Sequence, residues 1–280
     1  MSKVLVLPDV HGREFWKKPC ENIDDFDKVV FLGDYLDPYD FDGITVKMAI
    51  ENFKQIIDFA KKNTDKVVLL LGNHDMPYFS DTYYGFSSWH CRHSEEHHKE
   101  ISDLFSSYGD FRIAFSFDDV LFTHAGCTSW WLSKWFDKKF DDELDLVELC
   151  SELNDTLCTE DGLKKLYRVG PERGGRDNFS SCIWADVNES IDNAYANEAF
   201  DDFDDETKEF AKDSICAIHS VKQVFGHTIQ VSARYSTERF GGIIYTYGEP
   251  YEYGNLKMLD TANAYILDTV EFTTEKLNND

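Results

Sequence analysis

The sequence predicts an α/β protein whose first third is built on a parallel sheet, and three observations predict it. Short aliphatic runs recur there: KVLVLP (3–8), KVVFLG (28–33) and KVVLLLG (66–72). An amphipathic helical pattern lies between the last two. Each run passes directly into residues of metal-ligand type, as in VVLLLGNHDMPYF (67–79), where five apolar residues give way to a glycine, an amide, an imidazole and a carboxylate.

The runs read as strands buried on both faces, because they are apolar throughout and rich in valine. Thr45 is placed to cap a helix. Val46, Ala49, Ile50, Phe53, Ile56, Ile57 and Ala60 recur at three- and four-residue spacing after it, which gives one apolar face to lay on the sheet. Strand, helix and strand in that order imply a parallel βαβ unit. Residues 92–108 read as a helix, and FRIAFSFDDVLFTHAG as a hairpin turning at Asp118 and Asp119. From about 128 to 220 the pattern is mainly helical, rich in tryptophan and acid, with a glycine-bearing loop at GPERGGRDN; KQVFGHT, GGIIYTYG and AYILDTVEF follow as strands. No repeat and no low-complexity linker divides the chain, so residues 1–280 are expected to form a single domain with a mainly helical insertion.

At 280 residues, 42% apolar and 15% aromatic, the chain can bury a large core. Its aliphatic runs are far too short to span a membrane. Met1 leads straight into KVLVLPDVHG without the basic and long apolar regions of a signal peptide, so a cytoplasmic protein with no membrane partner is expected. Seven cysteines, never spaced as CxxC, suggest reduced thiols rather than a disulfide framework or a zinc knuckle. A net charge of −25 would repel nucleic acid, and no nucleic-acid partner is expected. A polyanionic substrate could still bind where metal cations supply local positive charge.

The strand ends carry the chemistry. The first run yields Asp9 and His11, the second Asp34, the third Asn73, His74 and Asp75, the hairpin His124, and the run near 225 His227. Singly, such residues cap turns or sit as hydrogen-bonded core histidines. In an α/β sheet, however, the carboxyl ends of the strands face one crevice, so five such elements should converge. Carboxylate, imidazole and amide oxygen without thiolate suit Mn, Fe, Zn or Co. Paired ions need a bridging carboxylate, and Asp34 is central in the set.

In this order DxHG, GDYxD, GNHD, HAG and GHT resemble the calcineurin-like metallophosphoesterases, in particular the branch of the phosphoprotein phosphatases and diadenosine tetraphosphate hydrolases. The resemblance runs from Asp9 to His227. It implies a four-layer sandwich of two mixed β-sheets between helices. It implies two divalent ions, Mn foremost with Fe, Zn, Co or Ni as alternatives: Asp9 and His11 on the first, Asp34 bridging, and Asn73, His124 and His227 on the second. His74 would face the leaving group and Asp37 would orient it. The reaction implied is in-line attack by a metal-bridging hydroxide on a phosphomonoester, protein-borne or small, with His74 protonating the departing oxygen. The rival enzyme reading is hydrolysis of dinucleoside polyphosphates. A catalytically dead binding scaffold is the third reading, and the complete ligand set argues against it.

The chain also departs from that family. Pro38 and Tyr39 follow Asp37 where the phosphoprotein phosphatases place arginine and glycine, so one phosphate clamp is missing. Arg173, and after it Arg176, are the expected replacements, on a loop upstream of Trp184-Ala185-Asp186. Ile229 stands where phosphodiester-cleaving relatives carry a second histidine. HCRHSEEHH (90–98), with His93 and His97 on one helical face, reads as a helix start on a solvated surface rather than a further metal site. WWLSKWF (130–136) reads as core, or as a roof over the site.

Overall fold

The computed structural model describes residues 2–87, 91–138, 144–170, 173–177, 180–185, 221–228, 231–235, 243–247, 251–253 and 256–277. In chain order the strands are β1 (Lys3–Leu7), β2 (Lys28–Phe31), β3 (Val67–Leu70), β4 (Phe111–Arg112), β5 (Ala114–Phe117), β6 (Val120–Thr123), β7 (Lys222–Phe225), β8 (Val231–Tyr235), β9 (Ile243–Tyr247), β10 (Tyr251–Tyr253), β11 (Leu256–Met258), β12 (Ala264–Asp268) and β13 (Thr273–Leu277). The helices are α1 (Lys17–Cys20), α2 (Val46–Lys62), α3 (Met76–Phe79), α4 (Asp81–Ser87), α5 (His98–Tyr108), α6 (Ser129–Phe136), α7 (Leu146–Asp155) and α8 (Glu160–Leu166).

Two mixed sheets result. The first runs β13-β12-β1-β2-β3-β4, with β1 to β4 parallel and β12 antiparallel against β1; the second runs β10-β11-β7-β6-β5. Alternation along each strand explains why the aliphatic runs are buried throughout. On β1, Val4 and Val6 face the second sheet, meeting Val120, Phe122 and Val224, whereas Leu5 and Leu7 face the helices. The helical side includes Ala49, Ile50, Phe53, Ile56, Ile57 and Ala60 of α2, the stripe legible in the sequence. Thr45 caps that helix, its hydroxyl accepting the Met48 N–H. Two mixed sheets flanked by helices are thus the architecture.

Three local expectations are corrected. The helix foreseen over 92–108 starts at His98, because the preceding backbone is engaged elsewhere: Ser94 N–H donates to the Tyr78 hydroxyl at 2.7 Å, and Arg92 reaches Asp37. Phe111 and Arg112 leave the β5–β6 hairpin to pair with β3 in the other sheet. Strands β8, β10, β11 and β13 carry polar or tyrosine-rich sequences without a continuous apolar run, so hydrophobic pattern did not mark them. Of the proposed insertion, α6, α7 and α8 are helical; residues 186–220, with Cys216, lie outside the described residues, as do His90, Gly241 and Gly242.

Phe53 is the joint between α2 and its neighbours, fully buried with its ring 4.9 Å from Tyr35 and 4.8 Å from Phe105. Phe53→Ala should cost about 3–5 kcal/mol, measured by urea unfolding. A loss below 1 kcal/mol would show that this face of the sheet is not closed by α2.

Candidate active site

Every polar residue singled out at a strand end emerges from the carboxyl end of its strand, on one edge of the paired sheets. The chain turns sharply there to aim the side chains inward. Asp9 (φ 41°), His11 (φ 45°), Asp34 (φ 55°), Asp37 (φ 55°) and His227 (φ 72°) all adopt left-handed backbone, a conformation that costs energy for a non-glycine residue and that the surroundings must enforce. Asp75 enforces part of it: its buried carboxylate accepts N–H groups from Asp34 (2.6 Å), Gly72 (2.8 Å) and Tyr35 (3.0 Å), tying the β2 loop to the β3 loop.

Asp34 lies at the centre. Its Oδ1 accepts the His74 N–H at 2.9 Å, and its Oδ2 stands 3.5 Å from both His11 Nε2 and His124 Nε2. Both imidazoles turn Nδ1 toward a backbone carbonyl, His11 to Leu36 and His124 to Leu32, each at 2.8 Å. Nδ1 is therefore the donor, and Nε2 presents a lone pair to Asp34. Around His124 Nε2 stand Asn73 Oδ1 and His227 Nδ1, each at 3.0 Å. Asp9, almost fully buried, is held by the His227 N–H at 2.9 and 3.1 Å. Two sets, His11–Asp34–His74 and Asp34–His124–His227, each bring one potential ligand atom per residue within 4.8 Å of one another.

The electrostatics of this cluster favour a cationic guest. Burial, with the neighbouring Asp34 adding to it, pushes the Asp9 carboxyl up to about 7; burial and then Asp37 do the same to Asp34. Burial holds His11, His124 and His227 below the usual imidazole range, His227 further depressed by Arg173. Carboxylates that resist ionising stand beside imidazoles that resist protonation, a nest of lone pairs that Arg92 and Arg173 offset only in part. A divalent cation reverses both penalties at once. His227 Nε2 is buried with no hydrogen-bond partner among the described residues. Space is also reserved: a Cβ at Gly72 would fall 2.2 Å from Asp34 Oδ1, and one at Gly226 2.3 Å from Asp9 Oδ2. The donor set fits divalent metal.

Beside this nest is a cavity of about 350 Å³ lined by His11, Asp34, Tyr39, Asn73, His74, Cys91, Arg92, Arg173, Trp184 and His227. His74 Nδ1 pairs with Asp37 Oδ2 at 2.9 Å, which leaves Nε2 as the nitrogen without that bond. Arg173 joins the wall, its guanidinium donating to Thr228 Oγ1 at 2.9 Å. Arg176 does not join it: its side chain is exposed and outside the cavity lining, because the loop closes through Gly175 N–H to Gly170 O before reaching it. Asp186 and Ile229 lie outside the described residues.

Arg92 is the residue the sequence reading missed. Its Nε and one terminal nitrogen donate to the Asp37 carbonyl at 3.2 and 2.9 Å, and its guanidinium lies 3.7 Å over the Tyr39 ring. The available signal was an arginine set among histidines in a chain lacking the family's arginine after Asp37. Of the neighbouring histidines, His93 pairs with His98 at 2.8 Å, while His97 immediately precedes α5 and bonds Ser94, so His93 lies before the helix and not on one helical face with His97.

A family model described as calcineurin-like phosphoesterase matches residues 2–230. Among solved structures, the fold is similar to a cold-active protein tyrosine phosphatase at 17% identity and a TM-score of 0.50, covering 99% of this chain and 79% of that one. A structure of the cold-active protein-tyrosine phosphatase of a psychrophilic Shewanella species gives 17% identity and a TM-score of 0.49, covering 99% and 81%. A putative diadenosine tetraphosphatase gives 11% identity and a TM-score of 0.43, covering 99% and 93%. No curated protein matches the sequence.

A divalent cation at about a hundred times its dissociation constant should stabilise the protein by about 2.7 kcal/mol, read as a rise in Tm that a chelator reverses. Gly72→Ala should abolish that rise, since its Cβ would occupy the space beside Asp34 Oδ1. An undiminished rise in the variant would place the bound ion elsewhere.

Proposed function

This chain belongs to the calcineurin-like phosphoesterases, metal-dependent hydrolases of phosphoric esters, and we propose that it is a dinuclear phosphatase acting on phosphomonoesters. One observation carries the reading: a carboxylate-paired imidazole, two guanidinium groups and the Asp34 nest face a single cavity of about 350 Å³. That is room for a phosphate and one modest leaving group.

Asp9, His11 and Asp34 would hold one divalent ion, and Asp34, Asn73, His124 and His227 the other, with Mn the first choice and Fe, Zn, Co or Ni alternatives. Such ions supply charge neutralisation and lower the pKa of bound water. The chain's own groups do the rest. Arg92, anchored on the Asp37 carbonyl, and Arg173, anchored on Thr228, both line the cavity, and two planar forks suit a phosphate dianion. His74 delivers a proton from Nε2 to the departing oxygen, with Asp37 at Nδ1 fixing the ring. Burial first, and then Arg92, depress His74 well below the usual imidazole range, and a bound phosphate dianion would act in the opposite direction.

A second enzyme reading keeps one observation in its favour. Phe41, 75% exposed, stacks on Tyr39 with ring centroids 5.0 Å apart, an aromatic shelf next to a cavity-lining ring that a nucleobase could extend. Cleavage of dinucleoside polyphosphates would use it. The substrate is then a phosphorylated protein or small molecule in one case and a nucleotide in the other. Among the described residues no helix is long and apolar enough to cross a membrane; a cytoplasmic setting is part of the proposal.

Phosphopeptide, mononucleotide and dinucleoside polyphosphate assayed at equal concentration separate the two; turnover of the last alone would replace the monoesterase reading. Within that reading, His74→Asn should lower kcat on alkyl phosphates by about 100-fold or more while sparing p-nitrophenyl phosphate, whose leaving group needs no proton. Equal losses would remove His74 as the acid. Metal analysis should find that Asp34→Ala loses both ions and His124→Ala one. Arg92→Ala and Arg173→Ala should each lower kcat/KM by about ten-fold or more, the worth of a charge-assisted hydrogen bond.

A further inference from the structure

Residues 91–94 have a definite place beside Asp37. Asp37 has two carboxylate oxygens and each has one partner: Oδ2 pairs with His74 Nδ1, and Oδ1 accepts the Tyr78 hydroxyl at 2.7 Å. The same hydroxyl oxygen accepts the Ser94 N–H at 2.7 Å. A backbone N–H cannot reverse its polarity, so the phenolic proton has one direction left, toward Asp37. Burial raises the Tyr78 pKa further above the phenol range, so that proton stays in place.

Tyr78 is itself held from every side. It is 1% exposed, its ring lies 4.5 Å from His93 at 23°, and its carbonyl accepts the Ser102 hydroxyl at 2.7 Å. His93 is fixed in turn by its bond to His98. Arg92, two residues before Ser94, pins the Asp37 carbonyl where the backbone is left-handed. The segment 91–94 therefore grips Asp37 twice, once directly and once through Tyr78. A carboxylate rotates about its Cβ–Cγ bond unless both oxygens are engaged; engaging the second oxygen fixes the plane in which the first meets His74.

We infer that Tyr78 is a positioning residue, the third member of a His74–Asp37–Tyr78 relay, which holds the Asp37 carboxylate in the plane that aims His74 Nε2 into the cavity. The inference rests on the reading of His74 as proton donor. Tyr78 touches no reacting atom; its effect passes through Asp37.

Tyr78→Phe keeps the ring and removes the donor. It should lower kcat on alkyl phosphates on the order of ten-fold, as for loss of a hydrogen bond to a charged group. KM should hold, and the rate on p-nitrophenyl phosphate should change little. In a His74→Asn background Tyr78→Phe should add nothing, because the relay has lost its end. Equal losses on both substrates, or additive losses in the double variant, would overturn the inference and leave Tyr78 a packing residue. A second readout needs no turnover. In protein loaded with diamagnetic zinc, the low-field proton of the His74–Asp37 hydrogen bond should shift or vanish in Tyr78→Phe, and should shift when Tyr78 is replaced by a fluorotyrosine, which keeps the fold and strengthens the donor. An unmoved resonance in the fluorotyrosine protein overturns the relay even if the phenylalanine variant does not fold. If His74→Asn itself shows no leaving-group dependence, the acid assignment falls while this spectroscopic test still decides the Tyr78 linkage.

Discussion

The structure depends on a buried concentration of lone pairs at Asp34. Two imidazoles give their Nδ1 hydrogens to the carbonyls of Leu32 and Leu36, which leaves both Nε2 atoms bare and 3.5 Å from one carboxylate oxygen. Water could satisfy such atoms, but Asp9, His11, Asp34, Asn73 and His124 are almost completely buried, with His227 half-buried at the rim. Removing several potential charges from water costs several kcal/mol each, so the rest of the fold has to hold this cluster together against its own tendency to open. A divalent cation turns the same geometry from a liability into a binding site, which is why metal and stability are linked here.

What holds it is the sandwich behind it. Each contributing strand is buried on both faces, with one set of side chains against the opposite sheet and the other against helices. A strand packed in this way cannot slide or tilt to relieve strain at its end. The left-handed turns at Asp9, His11, Asp34 and His227 are sustained by that rigidity, and the Asp75 carboxylate, taking three N–H groups from two loops, locks the β2 and β3 ends together. Two sheets contribute: β1, β2 and β3 supply Asp9, His11, Asp34 and Asn73, while β6 and β7 supply His124 and His227. The nest lies between them, and packing of the two sheets sets its dimensions.

This division explains what the sequence revealed. Asp9, Asp34, Asn73, His124 and His227 were legible because each follows an apolar run directly, so strand periodicity fixes where it emerges. The α2 stripe and the Thr45 cap were legible for the same local reason. Arg92 was not, because its role comes from a contact with Asp37, 55 residues away in the chain, across a segment without regular structure. Arg173 and Arg176 are equivalent by composition; only the closure of the Gly170–Gly175 turn decides which faces inward. The four polar strands failed for a complementary reason: they pair through backbone groups and lack the continuous apolar face that pattern reading detects.

The departure after Asp37 then has a structural account. Where relatives in the resembling branch carry an arginine, this chain has Pro38 and Tyr39, and the Tyr39 ring stands 5.0 Å from His11 in an edge-on contact. That ring is the floor on which Arg92 lies. Losing an arginine from the β2 loop and gaining an aromatic one position beyond are therefore one change: the ring creates the seat, and the guanidinium arrives from the 91–94 segment instead. The consequence is a different wiring of the site. An arginine borne on the β2 loop would depend on that loop alone, whereas Arg92 depends on the Asp37 carbonyl, and Asp37 also holds His74. On the proposed reading, anion recognition and proton delivery meet at a single residue whose backbone is left-handed and whose three polar contacts, Arg92, Tyr78 and His74, come from separate parts of the chain.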